Sequence, residues 1–409
     1  MARIVMLGNF SLHNKGTMRA RALPLAKALA RRGHEITLAM AALDAPWAAG
    51  ETAVEGGVRV VHIAQQGPAG FRQLSTVGAL LRLALAAKPD VVHAFKPIAY
   101  AGGVGSLLWA LPKVGTNRAR LVFDADDWEG TGGWVELDRR PAWQRWVVNR
   151  QERWNLSHCA ALTVASRHLA TLAWAMGAPP QRVHYLPNGA EAVCGAIDDA
   201  TRRRARSKLG LGEGPMVLLY TRFAEYPVSA VVDLLRHLTE LRPETRLLIV
   251  GRGLHGEERD LARQLAQSSL ERRAVLAGWI EPPDLPTYFA AADVAVYPFA
   301  DTLVNRTKCP AKLVELLAAG LPVVSENVGQ TGEYIVHGES GLLIPPGDIP
   351  AFATAVAGLL GDSTRRRELA EGAATRIGRW FLWDQLAERA ELAYGLLPRD
   401  GADGRPAHA

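Results

Sequence analysis

Apolar segments of strand length alternate with helical patterns along nearly the whole chain, and this alternation constrains the fold more than any other feature. The first half begins with the run Arg3–Leu7, and the second half repeats the scheme from Met216–Thr221. The clearest helical pattern, Met18–Arg32, follows Thr17, a helix-capping residue type, and precedes Gly33, which is typical of helix ends. Because strands that alternate with helices form parallel sheets covered on both faces, the sequence predicts an α/β protein with two doubly wound domains.

The boundary between the two domains is predicted near Pro187-Asn188-Gly189, a turn-forming sequence followed by a stretch without clear periodicity. A chain of 409 residues is long enough for two domains of ordinary size. The predicted segments are a first domain at 1–190, a linker at 191–205, a second domain at 206–375, a final helix at 376–397 and a disordered polar tail at 398–409.

Composition excludes several classes of protein. With 48% hydrophobic and 22% charged residues, the chain is neither largely disordered nor collagen-like. The longest nearly apolar run, Val77–Ala87, contains Arg82 and is far shorter than the roughly 20 residues of a membrane span. The 3 cysteines are widely spaced and form no disulfide or zinc pattern, which favours the reducing cytoplasm. The net charge of +6 is compatible with phosphate-bearing ligands, anionic lipid or nucleic acid and does not by itself choose among them. We expect no nucleic-acid partner.

An acidic cluster, Asp124-Ala125-Asp126-Asp127, stands at the end of a predicted strand. Two such carboxylates could hold a divalent metal against a diphosphate, orient a substrate hydroxyl or act as a base. The structural alternative is a solvated loop in which an aspartate caps a helix.

A glycine-rich sequence from Gly251 to Gly256 follows the predicted strand Leu247–Val250 and precedes a helix. Its G-x-G-x-x-G spacing would let backbone amides approach a phosphate. The motif opens the second βα unit of its domain, and the next strand ends without an acid for ribose, so a nicotinamide cofactor is disfavoured. A nucleotide-facing loop and a plain tight turn both remain open.

Cations occur at two further strand or helix ends of the second half. Arg222 follows the first strand, where a guanidinium suits a phosphate. Arg306 and Lys308 precede a helix that begins near Pro310, and free amides at that end would favour an anion. Glu315 lies further along this helix. Each could instead be an ordinary surface charge.

The segment Pro141–His158 interleaves tryptophan and arginine with helical spacing. It could bind a membrane surface or form a half-buried helix, and the second interpretation is favoured. Peripheral contact with the inner face of the membrane therefore stays open.

These patterns together resemble the retaining nucleotide-sugar glycosyltransferases of family 4, over the chain from Arg3 to about Leu397. The resemblance implies the GT-B fold, in which two Rossmann-like domains face each other across a cleft. It also implies transfer from a nucleoside-diphosphate sugar without metal, to an unknown carbohydrate or lipid-linked acceptor. The segments that carry this resemblance are GHEITL (Gly33–Leu38), KPDVVHAF (Lys88–Phe95), PNG (Pro187–Gly189), ADVAVYP (Ala292–Pro298) and ELLAAGLPVV (Glu315–Val324).

The resemblance also implies roles for individual residues. Arg222 would contact the diphosphate, Glu315 would hold the donor ribose, and the loop Gly8–Gly16 would lie near the reacting centre. The residues expected on the donor side are Gly8, Gly16, Arg222, Gly251, Gly253, Arg306, Thr307, Lys308 and Glu315. Those expected on the acceptor side are His13, Asn14, Lys15, His93, Lys96, Asp126 and Asp127. The residues expected to be catalytic are Asp126, Asp127, Arg222 and Lys308.

Three positions depart from the family pattern. The lysine expected five residues after the arginine is Pro227, and the first acid of the E-x7-E motif is Thr307. A histidine common at the acidic strand end is replaced by Asp126 or Asp127. Lys308 or Arg306 could supply the missing positive charge.

Three rival hypotheses follow. Asp124 and Asp126 could hold a metal ion, as in the GT-A fold. The protein could be a catalytically degenerate nucleotide-sugar sensor or partner subunit. The third is an epimerase or phosphorylase of similar fold, of which the phosphorylase is disfavoured because the second half offers only Lys208, Lys308 and Lys312 for pyridoxal phosphate.

Overall fold

The computed structural model describes residues 1–13, 16–65, 71–111, 119–137 and 141–398. The chain divides into two units. Unit 1 contains Met1–Glu191, Thr307–Cys309 and the C-terminal segment that begins at Trp383. Unit 2 contains Ala192–Arg306 and Pro310–Leu382.

Unit 1 is built on an eight-stranded sheet with the order β3-β4-β2-β1-β5-β6-β7-β8, counted over the described residues. Only β3 pairs antiparallel with its neighbour among these strands. The central strands β1 and β5 are mostly apolar and buried because both of their faces are covered. The strands are β1 (Arg3–Gly8), β2 (Glu35–Ala41), β3 (Thr52–Glu55), β4 (Val58–Ile63), β5 (Val91–Phe95), β6 (Arg120–Ala125), β7 (Ala161–Val164) and β8 (Val183–Tyr185).

Unit 2, which lies wholly within the described residues, has a six-stranded parallel sheet with the order β11-β10-β9-β12-β13-β14. The order reverses direction at β9 and β12, and open α/β sheets bind ligands beyond the carboxyl ends of strands at such a point. The strands are β9 (Met216–Tyr220), β10 (Arg246–Val250), β11 (Ala274–Gly278), β12 (Val294–Tyr297), β13 (Val323–Glu326) and β14 (Leu342–Ile344).

Helices cover both sheets. They are α1 (Leu23–Arg31), α2 (Arg72–Ala86), α3 (Ala99–Ala110), α4 (Trp134–Leu137), α5 (Ala142–Ser157), α6 (Arg167–Ala175), α7 (Asp199–Lys208), α8 (Val228–Leu241), α9 (Glu257–Gln267), α10 (Leu285–Ala290), α11 (Leu303–Thr307), α12 (Ala311–Ala318), α13 (Thr331–Tyr334), α14 (Ile349–Gly361), α15 (Ser363–Trp380) and α16 (Trp383–Ala393). A π-helical turn, Met18–Ala22, leads into α1, and short 3₁₀ turns occupy Pro46–Ala48, Pro180–Arg182, Glu271–Arg273 and Pro282–Asp284.

Each unit has its own apolar core. In unit 1, side chains of β1, α1 and α16 pack together, and Trp383 is among the largest fully buried side chains. In unit 2, Leu219 of β9, Leu235 of α8 and Phe352 of α14 belong to one cluster. Because each core is formed by residues of a single unit, each sheet can hold in place the side chains at its own carboxyl edge.

The two predicted α/β units are confirmed, with local differences. The short exposed strand β3 was not predicted, because Thr52–Glu55 carries no apolar alternation. The segment 191–205, predicted as a linker, contains the start of α7. The predicted final helix 376–397 is instead the end of α15 followed by α16. Apart from Pro398, the predicted tail lies outside the described residues. Among the described residues, no helix is long and apolar enough to cross a membrane.

Candidate functional site

The carboxyl edge of the first sheet gathers acids around one lysine. Lys96 follows β5, and its Nζ lies 3.4 Å from Oδ1 of Asp126 and 3.5 Å from Oδ2 of Asp127, which follow β6. It also pairs with the carboxylate of Glu129. Burial alone would lower the pKa of Lys96, but the carboxylates around it raise that pKa well above its ordinary value. Lys96 is therefore charged, and it holds the acids at this edge.

Asp126 and Asp127 differ in their surroundings. Asp126 accepts a 2.5 Å hydrogen bond at Oδ2 from the hydroxyl of Thr17, at the start of the first helical segment. Burial raises the pKa of Asp127 to about 6, although the positive charges of Lys96 and Lys308 oppose the change. Asp127 therefore titrates close to physiological pH, which suits a group that exchanges a proton.

Glu152 of α5 lies under this cluster and was not predicted as a site residue. One of its carboxylate oxygens accepts the backbone N–H of Glu129 at 3.2 Å. Burial, followed by the charge of Glu129, raises the pKa of Glu152 to about 8. Glu152 is therefore protonated at neutral pH. No sequence signal distinguishes it from a surface charge of a helix.

Asp124 belongs to the interior of the sheet and not to its edge. Arg21 donates to both carboxylate oxygens, with Nε 2.8 Å from Oδ1 and a terminal guanidinium nitrogen 2.6 Å from Oδ2. The hydroxyl of Thr163 donates to Oδ2 at 2.5 Å. Burial would raise the pKa of Asp124, but the neighbouring Arg21 lowers it overall. Because Arg21 binds both oxygens of Asp124, the structure does not favour the hypothesis that Asp124 and Asp126 hold one metal.

The expectation for His93 also needs correction. His93 is central in β5 and fully buried, with Nδ1 2.8 Å from the hydroxyl of Tyr394 and Nε2 3.1 Å from the hydroxyl of Thr163. Burial lowers the pKa of His93 to about 4. A neutral histidine inside the sheet connects strands and the C-terminal segment of unit 1 and does not face an acceptor.

The loop after β1 contains three of the expected acceptor-side residues. His13 is described, with Nε2 3.3 Å from a carboxylate oxygen of Glu51, whereas Asn14 and Lys15 lie outside the described residues. Nδ1 of His62 lies 4.0 Å from the same oxygen of Glu51. The backbone N–H of Leu12 donates to Nε2 of His62 at 3.3 Å, so in the neutral ring the proton sits on Nδ1 and faces Glu51. This arrangement fits a hydrogen-bonded network better than a metal centre.

Two glycines bound this loop. A side chain at Gly8 would overlap that of Met18, so glycine lets the end of β1 approach the helical turn closely. The carbonyl of Gly16 accepts the backbone N–H of Ala20 at 2.9 Å and begins the helical segment. Both lie at the carboxyl edge of β1, where they were predicted.

The corresponding edge of unit 2 lies where β9 ends beside α12. The carboxylate of Glu315 forms a hydrogen bond with the hydroxyl of Tyr220, the last residue of β9. Burial first, and then the charge of Glu315, raises the pKa of Tyr220 far above its ordinary value. The ammonium of Lys312 lies 4.0 Å from the centre of the Tyr220 ring. Arg222, only two residues after Tyr220, is half-buried at the same strand end.

The backbone after β9 is held in an uncommon conformation. Phe223 has a φ of 62°, in the left-handed region that non-glycine residues seldom adopt. Its N–H donates to the hydroxyl of Thr221 at 2.8 Å, and the hydroxyl of Tyr226 donates to the same oxygen at 2.6 Å. These bonds fix the turn that carries Arg222. Such strain persists where the surrounding structure determines it fully.

The glycine-rich loop packs against this turn. Gly251 has a φ of 128°, and a Cβ there would overlap the carbonyl oxygen of Thr221. The amides of both glycines are already hydrogen-bonded within the protein, however. The Gly251 N–H donates to the carbonyl of Gly278 at 2.7 Å, and the Gly253 N–H donates to the carboxylate of Glu258 at 2.9 Å. These internal bonds and the close approach at Gly251 favour the plain tight turn that the sequence left open, and the donor-side role of Gly251 and Gly253 stays a prediction.

Three other residues expected on the donor side, Arg306, Thr307 and Lys308, contact other parts of the structure. Arg306 is exposed and forms a two-point ion pair with Asp301, at 2.5 and 2.7 Å. Thr307 is buried, and its carbonyl accepts the hydroxyl of Ser166 at 2.6 Å. Lys308, which belongs to unit 1, has its Nζ 5.4 Å from the centre of the Trp134 ring. Sequence reasoning missed Lys312 at the edge of unit 2, although its spacing of three residues from Glu315 put both on one helical face.

Family models and curated relatives match most of the chain. A family model described as "Glycosyl transferase 4-like domain" matches residues 16–189, and one described as "Glycosyl transferases group 1" matches residues 214–362. A D-inositol 3-phosphate glycosyltransferase of Xylanimonas cellulosilytica is 30% identical over 403 residues, covering 91% of this chain and 89% of the relative. A GDP-mannose-dependent alpha-(1-6)-phosphatidylinositol monomannoside mannosyltransferase of Mycolicibacterium smegmatis is 32% identical over 57% of this chain and 62% of its own length.

Solved structures share the fold. Anabaena HepE in complex with UDP superimposes with a TM-score of 0.70 at 18% identity, covering 97% of this chain and 100% of that one. The catalytic domain of starch synthase IV from Arabidopsis thaliana, bound to ADP and acarbose, gives a TM-score of 0.73 at 17% identity, covering 97% and 99%.

Two parallel α/β units with polar groups at their carboxyl edges define the class as glycosyltransferases of the GT-B fold. Within that class, the chain belongs to glycosyltransferase family 4. The family membership and the GT-B fold expected from the sequence are confirmed, and the protein is a hexosyltransferase.

Proposed function

We propose that the protein transfers a hexose from a nucleoside-diphosphate sugar to an acceptor hydroxyl, with retention at the anomeric carbon and without a metal ion. The observation that carries this proposal is the hydrogen bond between Glu315 and Tyr220, which places Glu315 at the strand end that leads to Arg222. A carboxylate suits two ribose hydroxyls and a guanidinium suits a diphosphate, so one edge offers partners for both parts of a nucleotide.

The donor side would act on the leaving group. As the bond between the anomeric carbon and the diphosphate oxygen breaks, negative charge builds on the diphosphate. A cation fixed before the reaction stabilises that charge without reorganising. The strained turn at Phe223 holds Arg222 in this way.

The acceptor side would act on the incoming hydroxyl. Asp126 and Asp127 would orient it through their carboxylates, and its oxygen would form the new bond to the anomeric carbon. The hydroxyl proton would leave with the diphosphate or pass to Asp127, whose raised pKa permits either direction of transfer. Lys96 would keep both acids in place.

Release of nucleoside diphosphate tests this proposal. We would assay UDP-, GDP- and ADP-hexoses with simple sugar, inositol phosphate and phosphatidylinositol acceptors, each with magnesium and with a chelator. The relatives named above use different acceptors, so the panel must span them. Turnover that survives the chelator, with an α-linked product from an α-linked donor by NMR, is expected. An inverted product would contradict retention, and a strict metal requirement would contradict a reaction without a metal ion.

We also propose that α5 contacts a membrane surface. Trp143 and Trp146 are each 66% exposed, and arginines flank them on the same helix. Exposed tryptophan beside arginine suits an anionic lipid interface. The double variant Trp143→Ala/Trp146→Ala should lose sedimentation with anionic phosphatidylglycerol vesicles, whereas Trp174→Ala, also an exposed tryptophan, should not. Equal sedimentation of all three proteins would refute the contact.

A further inference from the structure

We propose that Lys312 provides the second positive charge for the donor's diphosphate, in place of the lysine that the family pattern has five residues after the arginine. This inference rests on the proposed function. Pro227 occupies the family position and is the N-terminal cap of α8, so it offers no charge.

The topology brings Lys312 to the strand end that carries Arg222. Strand β12 pairs with β9, and α12 follows β12 and leads to β13, so α12 begins at the carboxyl edge of the sheet. Lys312 is the second residue of α12, and Tyr220 is the last residue of β9. The position of Lys312 therefore follows from the strand order.

The Lys312 side chain contacts an aromatic ring that is itself bound to an acid. Its Nζ lies 4.0 Å from the centre of the Tyr220 ring, within the range of a cation–π contact. The hydroxyl of that ring bonds to Glu315, one helical turn after Lys312. The ring therefore links the proposed ribose-binding acid to the proposed diphosphate-binding cation.

Lys312 is nearly buried at the positive end of a helix. The residue is only 9% exposed, and lysine is seldom buried to that degree. It also stands in the first turn of α12, where the helix dipole is positive and disfavours a cation. A bound diphosphate could accept hydrogen bonds from both the ammonium and the amides at this helix end.

The rival cations lie in other surroundings. Arg306 is committed to Asp301, and Lys308 lies over Trp134 in unit 1. Lys208, the other lysine of unit 2, is exposed at the end of α7 and serves as a matched control.

The test compares nucleoside diphosphates with the corresponding nucleosides. We would titrate wild type, Lys312→Met, Lys312→Arg and Lys208→Met with UDP, GDP, ADP and their nucleosides by calorimetry. Lys312→Met should weaken diphosphate binding by about 10- to 100-fold, the range of one charged hydrogen bond, and leave nucleoside binding unchanged. Lys312→Arg should retain most of the affinity, and Lys208→Met all of it. Diphosphate binding by Lys312→Met should also depend less on salt.

Each outcome separates the inference from the function on which it rests. Equal weakening of diphosphate and nucleoside binding by Lys312→Met, or no weakening at all, overturns the role of Lys312. If the wild type binds none of these nucleotides, the proposed function itself fails. Should Lys312→Met not fold, Lys312→Gln makes the same comparison.

Discussion

At the scale of single residues, the acids at the edge of unit 1 differ because their surroundings differ. Asp124 keeps a low pKa beside Arg21, whereas burial raises that of Asp127 to about 6 and that of Glu152 to about 8. The carboxylate of Asp124 can therefore bind Arg21 within the sheet, and that of Asp127 can exchange a proton with an acceptor. The carboxyl group of Glu152 stays neutral.

Asp127 leads to a prediction about pH. If its carboxylate handles the acceptor proton, kcat/KM should fall about tenfold per pH unit below about pH 6, because the carboxyl group is then protonated. Asp127→Asn should be about 100-fold slower and lack this acid limb. Asp233→Asn, at an exposed ion pair of α8, is the control and should keep the wild-type profile. Full activity of both Asp126→Ala and Asp127→Ala would show that neither acid serves the acceptor.

Glu152 leads to a prediction about stability. Between its ordinary pKa near 4.5 and its raised pKa of about 8, the folded protein holds a proton that the unfolded chain releases. Stability therefore falls as pH rises through that window. Glu152→Gln should remove this dependence and be more stable at pH 8 by on the order of 1–3 kcal/mol. Urea unfolding at pH 5 and 8 measures the difference, with Glu35→Gln on the surface as control. Parallel pH curves for wild type and Glu152→Gln would disprove the assignment.

At the scale of elements, the end of β9 depends on close packing by its neighbours. Gly251→Ala would force a Cβ into the carbonyl oxygen of Thr221 at a φ of 128°, whereas Gly278→Ala meets open space at a φ of 70°. Both variants should destabilise the protein, but Gly251→Ala should cost about 2 kcal/mol or more and Gly278→Ala about 1 kcal/mol. Chemical denaturation of both variants measures how far each lowers the free energy of unfolding. Equal costs would mean that the overlap is relieved without disturbing the turn.

The sequence predicts the positions of strands and helices better than it predicts the surroundings of individual side chains. Apolar runs are local signals, so the predicted strands Arg3–Leu7, Met216–Thr221 and Leu247–Val250 are found in the structure, whereas exposed β3 gave no such signal. Gly251 and Arg222 were rightly placed at strand ends, because a parallel sheet gathers those ends on one edge. The burial of His93 and the contact of Lys312 with Tyr220 depend on packing between distant segments. No local pattern carries that information.

At the scale of the whole molecule, each unit supplies one half of the proposed chemistry. Unit 2 offers Arg222, Lys312 and Glu315 at a strand end, while unit 1 offers Asp126 and Asp127 beside Lys96. The chain belongs to the family although two charged positions of the family pattern are Pro227 and Thr307 here. The central claim is that unit 2 still binds a nucleoside diphosphate without metal.

Thermal unfolding with UDP, GDP and ADP, each with magnesium or with a chelator, tests that claim most directly. A ligand present at 100 times its Kd should add about 2.7 kcal/mol to stability. We predict a clear rise in Tm with one nucleotide, equal in magnesium and chelator, and much reduced in Arg222→Ala and Glu315→Ala. No rise with any nucleotide, or a rise only with magnesium, would contradict the account.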